Sequence, residues 1–201
     1  MKPFRVVTGV AAPLPLADVD TEMILPEQHV NALSRSGFGV GMFHDLRYRP
    51  DGSPNPDFIL NQAAYRRARI LVAGPNLGPG SSGERAVRAL DEFGIRCVIS
   101  SMIDDSFCTH CLHVGVLPLV LEQSIVDDLM ADAMVPQTAL MTIDLELQEI
   151  VRAGNQTVHF DVLPLVRALL LRGANEIEGT LQNAGTTESS AAKRKVAPRW
   201  H

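Results

Sequence analysis

Apolar residues along this chain fall in short blocks separated by glycine, proline and small polar residues. Residues 4–10, FRVVTGV, predict a first strand. Pro13, Pro15 and Pro26 then interrupt the pattern. Residues 17–21, ADVDT, hold too many short polar side chains for a strand interior, because such groups bond nearby backbone and favour turns. Residues 27–34 predict a short helix, and residues 35–57 a long irregular loop rich in glycine, proline and asparagine. A loop of that length is more often functional than neutral. Residues 69–73, RILVA, predict a buried strand, and residues 84–93 a helix with Ser81 or Ser82 as its N-cap and Gly94 closing it. Residues 97–100 predict the next strand, which makes a βαβ unit with a right-handed crossover. Residues 116–121 predict a strand and 124–133 an amphipathic helix. Alternation over 139–145, 149–151 and 157–160, with Gly154-Asn155 between the last two, predicts antiparallel hairpins. Residues 164–172 predict a helix stopped by Gly173. From Gln182 onward no apolar periodicity remains, so 182–201 is expected to be a disordered tail after a single domain over 1–181. The class is α/β with a mixed sheet.

Composition narrows this little. Hydrophobic residues make up 46% and charged residues 20%, as in a soluble globular chain. A net charge of -5 supplies no attraction for nucleic acid. No apolar run approaches the ~20 residues of a membrane span. The start, MKPFRVVTGV, is too short and interrupted for a signal peptide, so a cytoplasmic address is expected. Cys97, Cys108 and Cys111 are odd in number and clustered, which argues against a secreted disulfide framework.

The chemistry concentrates in residues 76–86, NLGPGSSGERA. Gly78 to Gly83 fits G-x-G-x-x-G, but a dinucleotide loop needs its first glycine at the strand end. Here Gly74-Pro75-Asn76-Leu77 intervenes, and no Lys-Ser/Thr follows to make a phosphate-binding loop. Two serines at a helix N-terminus can instead form an anion site from backbone N–H groups and the helix dipole. The plainer alternative is a serine N-cap with no chemistry. Cys108, His110, Cys111 and His113 offer ligand types that suit Zn²⁺, but the spacing is too tight for paired ligands, so no metal site is expected. Buried cysteines beside loop histidines are the simpler reading. Asp104-Asp105 follows a strand end, where α/β sites gather.

Several segments together resemble the small subunit of 3-isopropylmalate dehydratase, the swivelling domain of the aconitase superfamily. They are residues 18–21 with 24–26, residues 35–39 (RSGFG), 54–58 (PNPDF), 76–82 (NLGPGSS), 115–118 (GVLP) and 158–169. The match runs over about residues 4–181 in the family's order. The resemblance implies a swivelling β/β/α domain with a mixed sheet. It implies a separate large subunit, in a heterodimer or heterotetramer, that holds a [4Fe–4S] cluster; no cofactor is expected on this chain. The implied reaction isomerises 2-isopropylmalate and 3-isopropylmalate in leucine biosynthesis, by removing water and adding it back. Ser81 falls on the family's catalytic serine, the base that takes a proton from the carbon beside a carboxylate. Gly80 and Ser82 shape its loop. Asp20 and Thr21 fall in a segment facing substrate, and Arg35 and Gly37 in the loop that senses the substrate's side chain.

The departures are specific. The family's G-S-S-R-E-H places an arginine on a substrate carboxylate; here that position is Gly83, and the histidine is Arg85. The aspartate after Asp20-Thr21 is Glu22, and Cys108-Thr109-His110-Cys111 stands where Tyr-Gly-Asn-Ser is usual. Losing a charge-assisted fork should cost about a hundredfold in turnover unless another cation replaces it. Arg85 is two residues on, about 200° round a helix. Arg88 is also off-face, while Arg47 and Arg49 sit in the long loop and are freer to reach in. The alternatives are a hydro-lyase for another small dicarboxylate of the citraconate or dimethylmaleate type, a non-catalytic regulatory paralogue, and, more remotely, a nicotinamide-binding oxidoreductase.

Overall fold

The computed structural model describes residues 1–30 and 37–173. Arg35, the second half of the predicted helix 27–34 and the predicted tail 182–201 lie outside the described residues.

A seven-stranded mixed sheet organises the chain, in the order β4-β3-β2-β1-β5-β6-β7. Strands β1 (Val6–Leu14), β2 (Ile70–Ala73), β3 (Cys97–Ser100) and β4 (Leu117–Val120) run parallel. Strands β5 (Leu140–Asp144), β6 (Glu149–Arg152) and β7 (Gln156–His159) form the antiparallel half and join at β1. Every residue of β2 and β3 is buried, as parallel strands covered on both faces require. Leu71, Ala73 and Val98 face one core, with Val87 and Leu90 of α5 (Gly83–Phe93) and Phe107 and Cys111 of α6 (Asp105–Val114). Ile70, Val72 and Ile99 face the other, with Val126, Leu129 and Met130 of α7 (Gln123–Ala133) and Val166 and Leu170 of α8 (Pro164–Arg172).

Three elements depart from the sequence expectations. β1 continues through Pro13, which pairs with Val72. Ala11 N donates to Ala139 O at 2.8 Å, and the N–H two residues on would point the same way, past the end of β5. A proline there forfeits no ladder bond. The expected loop 35–57 contains α3 (Phe38–Gly41) and α4 (His44–Arg47). Buried Phe38, Met42 and Phe43 anchor it, and Asn61 Nδ2 donates to Asn55 O at 2.8 Å. Buried apolar anchors and asparagine bonds replace the long periodicity that a sequence scan looks for. The preceding segment carries α1 (Thr21–Ile24) and α2 (Glu27–Val30).

The third departure is α6, in the stretch expected to be a loop with histidines. Its serine, threonine, cysteines and histidines are weak helix formers, so periodicity and propensity are faint. The caps supply the helix. Asp104 Oδ1 accepts from Ser106 N at 2.9 Å and Phe107 N at 3.1 Å, and Gly115 closes the far end at φ 96°.

Candidate active site

Because β1, β2 and β3 run parallel, the chains leaving Leu14, Ala73 and Ser100 emerge at one edge, where α/β folds build their sites. Gly74 makes the first turn possible: a Cβ there would lie 2.4 Å from Leu16 O. The loop 74–82 is then stitched to the loop after β1. Asp18 N donates to Pro75 O at 3.0 Å, Gly78 N to Val19 O at 2.7 Å, and Thr21 N to Pro79 O at 2.9 Å. Asn76 Nδ2 adds a bond to Asp18 Oδ1 at 2.7 Å. On its other flank, Leu77 N donates to Met102 O at 3.0 Å and Asp104 N to Leu77 O at 2.9 Å. The serine loop is therefore a middle strap between two neighbours.

Asp20 caps α1, its carboxylate accepting from Met23 N at 2.7 Å. That turn places Thr21 in the interior, 3% exposed, with its hydroxyl accepting from Ser82 N at 3.3 Å. Gly80 sits against the same hydroxyl. Its φ is +127°, and a Cβ would lie 2.3 Å from Thr21 Oγ1, so glycine is required by both conformation and space. Ser82 is the N-cap of α5 but makes no side-chain capping bond, so the first-turn amides of α5 are open to an anion. Ser81, between them, is exposed, and its hydroxyl has no partner among the described residues.

Residues 1–124 match the aconitase C-terminal domain. The chain is 44% identical to the 3-isopropylmalate dehydratase small subunit of Paracoccus denitrificans and 46% identical to that of Sinorhizobium fredii, each over the full length of both chains. This chain belongs to the 3-isopropylmalate dehydratase small-subunit family. A crystal structure of 3-isopropylmalate dehydratase from Methanocaldococcus jannaschii shares the fold, with a TM-score of 0.63 at 23% identity over 92% of this chain and 99% of that one.

Set against the family's residues, the structure groups five expected positions and separates one. Asp20, Thr21, Gly80, Ser81 and Ser82 meet at the N-terminal end of α5. Gly37 does not join them: its N–H donates to Glu92 Oε2 at 3.0 Å, beside a second bond of 3.1 Å from Gly39 N. Glu92 lies in the last turn of α5, about 16 Å along the helix from Ser81 at the usual rise per residue.

The cations considered as stand-ins for the family's arginine fare unequally. Arg47 is spent inside its own loop, on Asn61 Oδ1 at 3.2 Å and Met42 O at 3.3 Å, with its guanidinium 5.3 Å from the Phe93 ring. Arg88 pairs with Glu84 at 2.8 Å. Arg85 is exposed. Gly83 itself is buried, and a Cβ there would lie 2.7 Å from His110 Cδ2. Sequence reasoning missed this neighbour because the helix that carries it was not expected.

That helix also settles where the thiols sit. Cys111 and Cys97 are buried, and burial pushes both thiols well above their ordinary range. Cys108 is half-buried, and desolvation, with Asp105 and Asp104 adding to it, pushes its thiol up to about 11. Asp104 is held below the usual carboxylate range, chiefly by the Ser106 hydroxyl and the Phe107 amide. Among the described residues no group of three or more His, Cys, Asp or Glu side chains converges as metal ligands would. Nor is any helix among them long and apolar enough to cross a membrane.

Proposed function

We propose that this chain is the small subunit of a hydro-lyase that interconverts 2-isopropylmalate and 3-isopropylmalate, acting in the cytoplasm with a large subunit in a heterodimer or heterotetramer. One observation carries the reading: the exposed Ser81 hydroxyl, without a partner among the described residues, held at the open N-terminus of α5 by a loop locked to Asp20 and Thr21.

Dehydration needs a base at the carbon beside a carboxylate. Ser81, as its alkoxide, takes that proton while the hydroxyl on the neighbouring carbon departs; the proton returns when water adds at the other carbon. Positive potential from the first turn of α5 favours both the alkoxide and the carboxylate negative charge. The buried Thr21 hydroxyl fixes the turn that aims Ser81, and Gly80 lets the backbone pass. Asp20 positions Thr21 through its cap on α1. By the family resemblance, Arg35 would meet the substrate's side chain.

Cluster ligation does not fit this chain. Cys97, Cys108 and Cys111 do not converge with one another or with other His, Asp or Glu side chains among the described residues, as ligands of one cluster must. The family's [4Fe–4S] cluster would sit on the large subunit, where it would supply Lewis acidity.

The test is reconstitution with that large subunit, a check that its cluster is intact, and an assay of isopropylmalate hydration. Turnover that disappears in Ser81→Ala, with the complex still forming, is expected. A complex that forms with an intact cluster but does not turn over isopropylmalate would overturn the reading. Gly83 favours one second reading, a hydro-lyase for another small dicarboxylate, which activity on citraconate or dimethylmaleate alone would reveal.

A further inference from the structure

Position 83 and the imidazole of His110 compete for one space. A Cβ at Gly83 would stand 2.7 Å from His110 Cδ2 and 3.3 Å from Nε2, so the ring presents its Cδ2–Nε2 edge to the first turn of α5. The ring is half-buried, and its nitrogens have no hydrogen bond or ion pair among the described residues. Its ring contact is with His113, edge-on at 6.4 Å between centroids. The Asp104 carboxylate at the cap of the same helix acts on it by charge alone, without a hydrogen bond. Half-buried beside Gly83, the ring keeps a polar edge within two residues of Ser81 that a ligand can reach.

Its position is not accidental looseness. α6 starts at Asp104, whose N–H is bonded to Leu77 O of the serine loop and whose carboxylate caps the helix. Phe107 and Cys111 hold the inner face of α6 in the core, and a Cβ at Gly78 would strike the Phe107 ring at 2.2 Å. The helix and the loop are thus packed to fixed distance, and His110 rides on that frame.

We propose that His110 is the carboxylate-binding residue of this active site. Its Nε2–H contacts one carboxylate of a small dicarboxylate held over Ser81, in space that a side chain at position 83 would otherwise occupy. This inference rests on the hydro-lyase reading above. Imidazole offers a single donor where a guanidinium offers a fork, so the grip is directional but weaker, and the first-turn amides of α5 share the anion. Arg47 and Arg88 have partners elsewhere, and the exposed Arg85, nearer to Ser81 in the chain than the exposed Arg49, is the chief competing cation.

Four variants in the reconstituted complex decide it. His110→Phe keeps a ring against Gly83 but removes the N–H, and is expected to raise KM for 3-isopropylmalate about 10–100-fold with a smaller change in kcat. Its melting temperature should stay near that of the parent. Gly83→Ala, which forces the ring out of place, should reproduce that KM. The double variant G83R/H110G, which puts a fork into the vacated space, should bring KM back toward the parent. Arg85→Gln should leave it unchanged. A parental KM in His110→Phe, or the loss appearing in Arg85→Gln instead, overturns the proposal. If the parent complex with an intact cluster ignores isopropylmalate, the function reading falls alone. Titration of the complex with citraconate and dimethylmaleate, followed by the ring NMR signals of His110, then decides the histidine: a shift that saturates supports it, and no shift with either compound overturns it.

Discussion

The two ends of α5 are held by different means. At the N-terminal end the cap residue, Ser82, contributes no side-chain bond, and a threonine from a separate loop accepts its N–H instead. At the C-terminal end the helix closes by its own sequence, with Gly94 at φ 117° and bonding back to Leu90 O and Asp91 O. There the helix also gives a carboxylate away, Glu92 holding the amides of Gly37 and Gly39. One end borrows its support and leaves its first-turn groups open; the other is self-sufficient and lends support to a neighbour. The open end is where chemistry belongs, because groups satisfied locally have nothing left for a ligand.

The largest test of that contrast is Ser81→Ala. Loss of the base should lower kcat about 10³-fold while thermal stability hardly moves, since the hydroxyl has no partner among the described residues. Gly80→Ala comes next. Its Cβ would collide with Thr21 Oγ1 at 2.3 Å and its φ is +127°, so we expect about 2–3 kcal/mol of destabilisation by denaturant titration, with activity falling too. Thr21→Val removes the borrowed acceptor at nearly constant volume. It should cost about 1 kcal/mol, and turnover should fall more than that stability change explains. Glu92→Gln weakens the far end, and should speed amide exchange at Gly37 and Gly39 while leaving kcat within about twofold. If Glu92→Gln cost as much turnover as Thr21→Val, the division of labour between the ends would be wrong.

The smallest effect at neutral pH concerns the thiols. Cys108 rises in the folded chain from 9.0 to about 11, and Cys97 and Cys111 are raised as well. The unfolded chain therefore loses these protons first as pH rises. Their contribution is fully present below about pH 9 and drains away above it, through about pH 11 for Cys108. Denaturation midpoints followed from pH 7 to pH 11 should be flat at first and then fall. Replacing Cys108 with Ser should make the fall shallower.

Much of this was legible in the sequence. β2, α5 and β3 announce themselves by a buried run, a Ser/Gly-bounded helix and a second buried run, because local pattern and tertiary demand agree there. α7 and α8 are visible for the same reason. α6 was not, since its residues favour helix weakly and its stability comes from Asp104, Gly115 and packing on the serine loop. The serine loop, with Asp20 and Thr21, stands out as a candidate through matching motifs, and the structure brings the three together. What the sequence could not disclose is which distant side chain fills the space left at position 83. That depends on how α5 and α6 pack, and a Cys/His cluster read as buried cysteines beside loop histidines gives no sign of it.

The contact between Gly83 and His110 also constrains the order in which such a site can change. With the imidazole where it now lies, any larger residue at position 83 must displace it, and arginine most of all. A lineage exchanging one carboxylate anchor for the other has a directed route. The side chain at 83 is shed first, the ring moves in afterwards, and the intermediate has neither. Reversal by a single substitution at 83 requires the half-buried ring to swing aside. Relatives carrying both a bulky residue at 83 and a histidine at 110 should therefore hold that ring in another rotamer or carry a shifted α6.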